Sequence, residues 1–483
     1  MNRSIKKSLE LLIEGDVLSQ KELRNFYSVD SSSYQIFPKI IVVPKNEKDV
    51  INTINIAKKF KSSVTVRGAG TGLVGSALNT GIILDMKNFN SLKINRNNVT
   101  VGPGIIKGFL DKKLNERKKF FPPNPSIGSF CSIGGMIGNN SSGSRSLKYG
   151  SVIDNIIEIT FIDGNGNKIL LPKNKEISKK ILEFSQNINI EKFPNVSKNS
   201  SGYRIDKIKS IQDSHKLIIG SEGTLGIVLS MKLQIKDNPK KRILCIVEYK
   251  SIIDASMNCI EIIKTKPSAI EFVDKTTLNQ INFKFSPKTQ CLLFVEYDEN
   301  INLSQKNLKI ITTGKIVKKL LKDSDISRWW RYRDSSLYYS LKSINKKKRI
   351  PHIIEDAAVP LEKLSEVFKI LKKINKKFKT KTIVYGHAGN GNVHVRLISD
   401  RRQLQTVKKI AIEYFDEIIK LGGTITAEHG DGLARSEFIK KQYGKKNYKI
   451  FKEIKHHFDP ENVLNPGKII SMKSTIIKNL ENF

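Results

Sequence analysis

The stretch YGHAGNGNVHVRLISD, residues 385–400, places two of the chain's seven histidines, His387 and His394, around a glycine-rich turn. Further on, AEHG adds Glu428 and His429. Two imidazoles and a carboxylate form a donor set for Zn²⁺, with Mn²⁺ or Fe²⁺ as alternatives, and leave coordination positions for a substrate. Histidines on a surface or in a core are the commoner case, so spacing alone leaves both readings open. From Asn392 the pattern alternates, with Val393, Val395 and Leu397 on one side and His394 and Arg396 on the other. That predicts a half-buried strand whose polar face carries an imidazole beside a guanidinium.

A second chemistry resides in glycines. VTVRGAGTGLVGSA contains Gly70-x-Gly72-x-x-Gly75, a literal dinucleotide fingerprint. The doubly wound version needs a helix directly after the glycines and an acidic residue about 20 positions on. Here SALNTGIILDM runs into another strand and no acid stands at that place, so that version is excluded. The physical content survives: successive glycines let backbone N–H groups converge on a phosphate. PPNPSIGSFCSIGGMIGNNSSGSRSLKYG (122–150) and GSEGTLGIV (220–228) are two further such segments. Three of them in one region imply a long ligand touched by backbone at several points, such as a dinucleotide.

These residues need elements to hold them. Residues 1–35 read as a helical lead-in. From 36 to 235 short strands alternate with glycine loops: KIIVVPKN, SSVTVRGAG, GIILDM, NNVTVGPG, IIEITFIDGNGN and KLIIGSEGTLGIV. Residues 236–445 change style, with two matching VEY strands around a helix, ILCIVEYKSIIDASMNCIEIIKT and QCLLFVEYDE, which predicts an antiparallel sheet packed on helices. A helical region over 325–342, a strand at HIIEDAAVP and a helix over 361–377 follow. Residues 446–483 read as a segment that returns to the first domain. The fold class expected is α+β, in two domains.

Composition sets bounds. A chain of 483 residues exceeds one ordinary core. No run approaches the roughly 18–20 apolar residues of a membrane span, and the N-terminus lacks the pattern of a signal or transit peptide, so a cytoplasmic protein, at most peripheral to a membrane, is the expectation. The net charge of +38 invites a nucleic-acid reading. However, the lysines are spread along the chain without aromatic interleaving, and clusters such as residues 345–349 read as solvated surface; no nucleic-acid partner is expected. The four cysteines, Cys131, Cys245, Cys259 and Cys291, stand far apart, without disulfide or iron–sulfur spacing. Any electrons handled must sit on an organic cofactor.

RGAGTGLVG, SIGGMIGNNSSGSRSLKYG and GSEGTLGIV together resemble the FAD-binding domain of vanillyl-alcohol-oxidase-type flavoproteins. With GHAGNGNVH and AEHG, the ordered set resembles the FAD-linked D-2-hydroxyacid dehydrogenases: D-lactate, D-2-hydroxyglutarate and glycolate dehydrogenases. The resemblance runs from residue 17 to 470. It implies that Arg67, Gly68, Ala69, Gly70, Thr71, Gly72, Gly75 and Ser76 wrap the FAD diphosphate. It implies that Ile133, Gly135, Asn140, Gly143, Glu222, Gly223 and Ile227 line the cofactor, with Asn465 near the flavin. Thr71 stands where covalently flavinylated relatives carry His, which implies non-covalent FAD.

By the same resemblance His387, His394 and Glu428 hold the divalent metal, His429 is the base, and Arg333 in WWRYRDSS pairs with the substrate carboxylate. Arg331 is the alternative if the helix register differs, and an ion pair with Asp334 is the structural alternative. Of the two effects the metal's is the greater: it can lower a coordinated water's pKa from about 15.7 to about 7, roughly 12 kcal/mol, against about 3–5 kcal/mol for a general base. Two departures stand out. Asn390 replaces an Asp of many relatives, which would weaken metal binding if that Asp orients a ligand. Arg396 replaces an Asn, and its place on the metal-facing side suggests a second anionic group on the substrate. Electrons would pass to a separate acceptor: an electron-transfer flavoprotein, quinone, cytochrome or iron–sulfur subunit. A non-redox relative similar to alkylglycerone-phosphate synthase and a flavin-binding subunit of a larger complex are the competing readings.

Overall fold

The computed structural model describes residues 2–278, 281, 283–299, 308–311, 313–342, 344, 348–400, 403–471 and 473–480. Residues 345–347 of the basic run expected at the surface lie outside these. In the first sheet the spatial order is Asp16–Leu18, Ile40–Val43, Ile82–Asp85, Val64–Arg67. The last three are parallel and the first runs antiparallel to Ile40–Val43. Residues 1–35 are therefore more than a helical lead-in, since they supply an edge strand. Parallel strands must be covered on both faces, and every residue of Ile40–Val43 and Ile82–Asp85 is buried. Helix Glu47–Lys59 follows Ile40–Val43, its first turn capped by the Asn46 side chain, which accepts from the Asp49 N–H.

The second sheet is antiparallel, in the order Leu92–Ile94, Asn98–Val101, Ile227–Gln234, Ile156–Ile162, Lys168–Leu171. Of the predicted strand KLIIGSEGTLGIV only the end is extended. Ile211–Leu217 forms a 3₁₀ helix, and Gly220, Glu222 and Gly223 take positive φ. Left-handed residues turn the chain back and cannot prolong a strand.

Seven strands form the third sheet: Lys315–Leu320, Ile243–Tyr249, Cys291–Tyr297, Ala269–Asp274, Lys381–His387, Asn392–Asp400 and Lys348–Arg349. The two VEY strands are antiparallel neighbours, with Ile243 opposite Tyr297 and Tyr249 opposite Cys291. Alternation divides the sheet's side chains between two cores. Cys245, Val247, Leu293 and Val295 meet helices Ile252–Ile262 and Leu364–Lys377, while Leu244, Ile246, Leu292 and Phe294 meet Trp329 and Trp330 of helix Asp323–Asp334. Both faces of this sheet are thus covered, and strand Asn392–Asp400, expected to be half-buried, is buried on both sides over its first six residues.

HIIEDAAVP is not a strand. Residues 352–360 run irregularly, with two isolated bridges at Ala358, one to Asn392 of the sheet and one to Thr424 in the loop after helix Leu404–Lys420. Strand alternation would send adjacent Glu355 and Asp356 to opposite faces, yet both are wholly buried and both meet the loop at 426–429. Helix Ile439–Phe458 breaks at Gly444 and leads the chain back to the first sheet. There Val64 donates to Val463 O and Asn465 donates to Val64 O. Among the described residues no helix is long and apolar enough to cross a membrane.

Candidate active site

One cavity of about 470 Å³ is walled both by the glycine loops and by the histidine cluster. On the glycine side, strand Val64–Arg67 ends in Gly68, where a Cβ would fall 2.0 Å from Ser132 Oγ. That hydroxyl accepts from Gly135 N at 3.2 Å and caps the helix Ile133–Asn139. Gly70 needs its freedom differently: φ is +70° and a Cβ would lie 2.4 Å from Arg67 Nη2. Arg67, Gly68, Ala69, Gly70, Thr71, Gly72, Ser76, Gly135, Gly143, Glu222 and Gly223 all line the cavity. Walls so poor in side chains fit an extended dinucleotide bound through backbone groups.

Five expected cofactor contacts stand one layer behind that wall. Ile227 points into the core while its neighbours Gly226 and Val228 line the cavity, a one-residue consequence of strand alternation. Ile133 is fully buried in the core. Gly75 turns the chain at φ +72°, against Leu433 and Tyr34. Asn140, left-handed at the end of its helix, donates to Asn199 O and accepts from Ile153 N. Asn465 donates to Ser76 O and Glu222 O and accepts from Thr65, so it braces the loops from outside.

The other wall carries three imidazoles in a row. Ring centroids of His387 and His394 are 5.2 Å apart, and His394 stacks on His429 at 5.1 Å. His387 Nε2 and His394 Nε2 converge on one oxygen of Glu428, Oε1, at 2.9 and 3.3 Å. The second oxygen accepts from Ser142 and, at 3.1 Å, from the buried Lys198 ammonium. Burial opposes charge on Glu428, but Lys198 and then His387 outweigh it and hold the carboxyl well below its usual range. Burial lowers His394 to about 4, which keeps it a neutral donor.

Asp356, His394, Glu428 and His429 also gather donor atoms within 4.8 Å. Asp356 is committed elsewhere, however, and His429 stands farther off. Asp356 Oδ2 accepts from Thr426 Oγ1 and from the amides of Ala427, Glu428 and His429 at 2.7–3.0 Å. His429 Nδ1 lies 2.7 Å from Glu355 Oε1, and its unengaged Nε2 is 3.9 Å from Glu428 Oε1, against 2.9 and 3.3 Å for His387 and His394. The convergent pair of Nε2 atoms on Glu428 Oε1 is therefore the better cation site, a mixed nitrogen and oxygen set suited to a divalent transition metal. Burial disfavours the His429 imidazolium, yet Glu355 and then Asp356 lift it to about 9; a cation beside Glu428 would push it back down.

Both arginines reach the cavity. Arg333 donates through Nε to Glu271 Oε2 at 2.6 Å, and Glu271 Oε1 takes His387 Nδ1 at 2.7 Å. Burial alone would raise Glu271; Arg333 and then His387 hold it below the usual range. The expected partner Asp334 is 3.7 Å away, and Arg331 is exposed on the far side of the helix. Arg396 donates to the Tyr385 hydroxyl at 2.9 Å and its Nη1 stands 3.4 Å from Glu355 Oε2. Asn390 touches no metal-binding candidate: it accepts from Ser146 and donates to Ser197, tying its turn to the glycine domain.

Residues 38–170 match the family "FAD binding domain", and residues 238–469 match "FAD linked oxidases, C-terminal domain". The chain is 28% identical over 466 residues to glycolate oxidase subunit GlcD of Bacillus subtilis, covering 93% of this chain and 92% of that protein. It is 26% identical over 439 residues to a D-lactate dehydrogenase of Archaeoglobus fulgidus, covering 89% and 91%. The chain belongs to the FAD-linked D-2-hydroxyacid dehydrogenase family. It is an FAD-linked oxidoreductase of the vanillyl-alcohol-oxidase-type fold. A D-2-hydroxyglutarate dehydrogenase of Haemophilus influenzae is 26% identical over 521 residues, and the chain spans 50% of its length. Solved structures of alkyldihydroxyacetonephosphate synthase share the fold, with a TM-score of 0.68 at 16% identity over 96% of this chain and 85% of theirs.

In this flavoprotein the sequence motifs supply the groups at the cavity wall, and residues outside the motifs hold them: Glu271, Glu355, Asp356 and Lys198. For the acids a signal exists in the sequence, since AIEFVD and HIIEDAAVP set charge inside apolar runs, and a buried carboxylate requires a partner. Lys198 in NVSKNSSGY carries no such signal.

Proposed function

We propose that the protein oxidises a D-2-hydroxy acid, such as D-2-hydroxyglutarate, D-lactate or glycolate, to the 2-oxo acid, with non-covalently bound FAD and a divalent metal. The observation that supports this most is the shared cavity: the glycine wall and the His387–His394–Glu428–His429 cluster face the same space, with Arg333 and Arg396 beside them. Bound FAD supplies a two-electron acceptor, and a divalent cation, Zn²⁺ before Mn²⁺ or Fe²⁺, supplies Lewis acidity toward the hydroxyl. His387 Nε2, His394 Nε2 and Glu428 would hold that cation. The guanidinium of Arg333, fixed by Glu271, orients the substrate carboxylate; its planar fork suits that task. His429 takes the hydroxyl proton at Nε2, the ring atom not engaged by Glu355.

C2 gives up a hydride and the hydroxyl its proton, and two electrons go on to a separate acceptor. One relative is named a cytochrome-linked D-lactate dehydrogenase and another a glycolate oxidase subunit; a cytochrome or a partner subunit is accordingly the first acceptor to try, before a quinone or an electron-transfer flavoprotein. The test is an anaerobic visible spectrum of the FAD-loaded protein, with each acid added in turn in the presence of Zn²⁺ or Mn²⁺. Bleaching by one acid is expected and identifies the substrate. A flavin band that no hydroxy acid bleaches would overturn the reading in favour of a non-redox enzyme similar in chemistry to the alkyl-transfer relatives of this fold.

A further inference from the structure

The structure assigns Glu355 as the residue that positions His429 for proton abstraction; this assignment rests on the reading of His429 as the base. A neutral imidazole has one N–H and one lone pair, and only the nitrogen with the lone pair can take a proton. Which nitrogen that is depends on what the other one touches. His429 Nδ1 lies 2.7 Å from Glu355 Oε1, so Nδ1 carries the hydrogen and donates it to the carboxylate. The lone pair is then on Nε2, the edge 3.9 Å from Glu428 Oε1, where the cavity and the other two imidazoles lie. Without an acceptor at Nδ1 the ring could turn over or change tautomer and lose the base.

The carboxylate is itself held so that it cannot swing away or take the proton. Glu355 is wholly buried. Its Oε1 also accepts from Arg435 Nη2 at 2.8 Å, and its Oε2 faces Arg396 Nη1 at 3.4 Å. Arg435 is rigid in turn: its Nη1 donates to Gly430 O and Thr426 Oγ1, and its Nε to Ile353 O. These bonds join the two chain segments that carry the acid and the base, 353–356 and 426–430. Every partner of Glu355 is a donor. That fact makes the amide substitution informative, because Glu355→Gln keeps the shape but must turn its NH₂ toward a donor on one branch or the other. On the His429 branch it forces Nδ1 to become an acceptor and moves the ring hydrogen to Nε2; on the Arg396 branch the oxygen stays on His429, but the charge that stabilises the imidazolium formed as the proton is taken is lost, so either orientation slows the step. In a catalytic triad the same acid-to-amide change, with geometry intact, lowers kcat by about 10⁴.

The experiment compares wild type, E355Q, E355D and H429N by anaerobic stopped-flow reduction of the FAD-loaded, metal-loaded protein, using whichever hydroxy acid bleaches the wild-type flavin. FAD content, metal content and the substrate concentration at half-maximal rate are measured for each. For E355Q the expected result is normal FAD and metal content, half-saturation within about threefold of wild type, and flavin reduction slowed by 10²-fold or more. A solvent deuterium isotope effect larger than that of wild type should accompany the slowing, since proton removal becomes limiting. E355D keeps the charge at a shorter reach and should recover at least tenfold over E355Q. If E355Q does not fold, E355D carries the test alone, with reduction slowed about tenfold or more and both cofactors retained. H429N slow with E355Q, or failing that E355D, near wild type would overturn the assignment and leave the base in place. H429N near wild type would overturn the reading of His429 and the assignment with it. Loss of FAD or metal from E355Q would show a structural role only and would also overturn it.

Discussion

The loop that carries Glu428 and His429 hangs on one carboxylate, and Asp356→Asn tests how much that matters. Oδ2 of Asp356 accepts from Thr426 Oγ1 at 2.7 Å, from Ala427 N at 3.0 Å, and from Glu428 N and His429 N at 2.9 Å each. Ala427 N also reaches the Asp356 carbonyl and is already served. Three bonds are thus specific to the side chain's charge. Hydrogen bonds to a charged group contribute about 1.5–3 kcal/mol and neutral ones about 0.5–1.5, a loss near 1 kcal/mol for each bond made neutral. The asparagine oxygen can still face the loop, but its NH₂ then occupies the Oδ1 position beside the Asn392 side-chain amide, itself a donor. The sum is about 3 kcal/mol, or roughly 10²-fold in the local opening equilibrium. Amide hydrogen exchange reads that equilibrium residue by residue. The Glu428 and His429 amides should exchange about 10²-fold faster in D356N, while those of Ile246 and Leu293 in the sheet core keep their wild-type rates. Unchanged exchange at 428 and 429 would refute the reasoning, and so would uniform acceleration across the sheet.

Two further outcomes follow from the cofactor wall. Gly68→Ala forces a Cβ to within 2.0 Å of Ser132 Oγ, so the hydroxyl must swing away and give up its cap on Gly135 N at the helix start; FAD affinity, followed by flavin fluorescence, should fall tenfold or more, and unchanged affinity would contradict a role for that cap in the cofactor wall. Burial and then Asp431 raise the Glu222 carboxyl to about 8, and burial raises Asp431 as well. A carboxyl raised on folding stabilises the protein below its unfolded pKa, and that stability is lost as pH rises through the folded value. The FAD-free protein should therefore lose stability to urea between pH 5 and pH 8, and E222Q should lose measurably less over that window; an identical slope would show that Glu222 titrates normally.

What the sequence makes legible is what chemistry restricts to few residue types. Glycine turns at 68–75 and 220–226 answer to positive φ or close backbone approach, and the imidazoles at 387, 394 and 429 are three of only seven in the chain, so they stand out in a single sequence. The residues that hold them are interchangeable in type and ordinary in setting. HIIEDAAVP reads as a strand because it is apolar at both ends, and that reading hides the fact that Glu355 and Asp356 turn the same way. Asn390 shows the converse: by position it reads as a metal-site residue, but it serves Ser146 and Ser197 in the wall between domains. Ile227 and Asn465 stand one layer behind their expected places for a similar reason, since a motif marks where the backbone goes and leaves open which neighbouring side chain reaches the cavity.

Arg396 joins the fold to substrate choice. Its place on the strand suggests a partner in a second carboxylate on the substrate. In the folded protein four buried cations, Lys198, Arg333, Arg396 and Arg435, lie among four buried carboxylates, Glu271, Glu355, Asp356 and Glu428. Direct ion pairs link Arg333 to Glu271, Lys198 to Glu428, and both Arg396 and Arg435 to Glu355. With His429 neutral as the base requires, these eight groups sum to zero, and a divalent cation would bring them to +2. The hydroxyl proton passes to His429 and stays in the site, so its transfer leaves the count unchanged: a monocarboxylic hydroxy acid leaves the site at +1 and a dicarboxylic acid brings it to zero. On this count a dicarboxylic acid such as D-2-hydroxyglutarate is the better fit, with Arg396, beside Glu355 and Tyr385, as the cation nearest to hand for the second carboxylate. Arg396→Ala should then lower kcat/KM for D-2-hydroxyglutarate at least tenfold more than for D-lactate. An equal loss for both acids would show that Arg396 only balances Glu355 and holds Tyr385, and would refute the charge count.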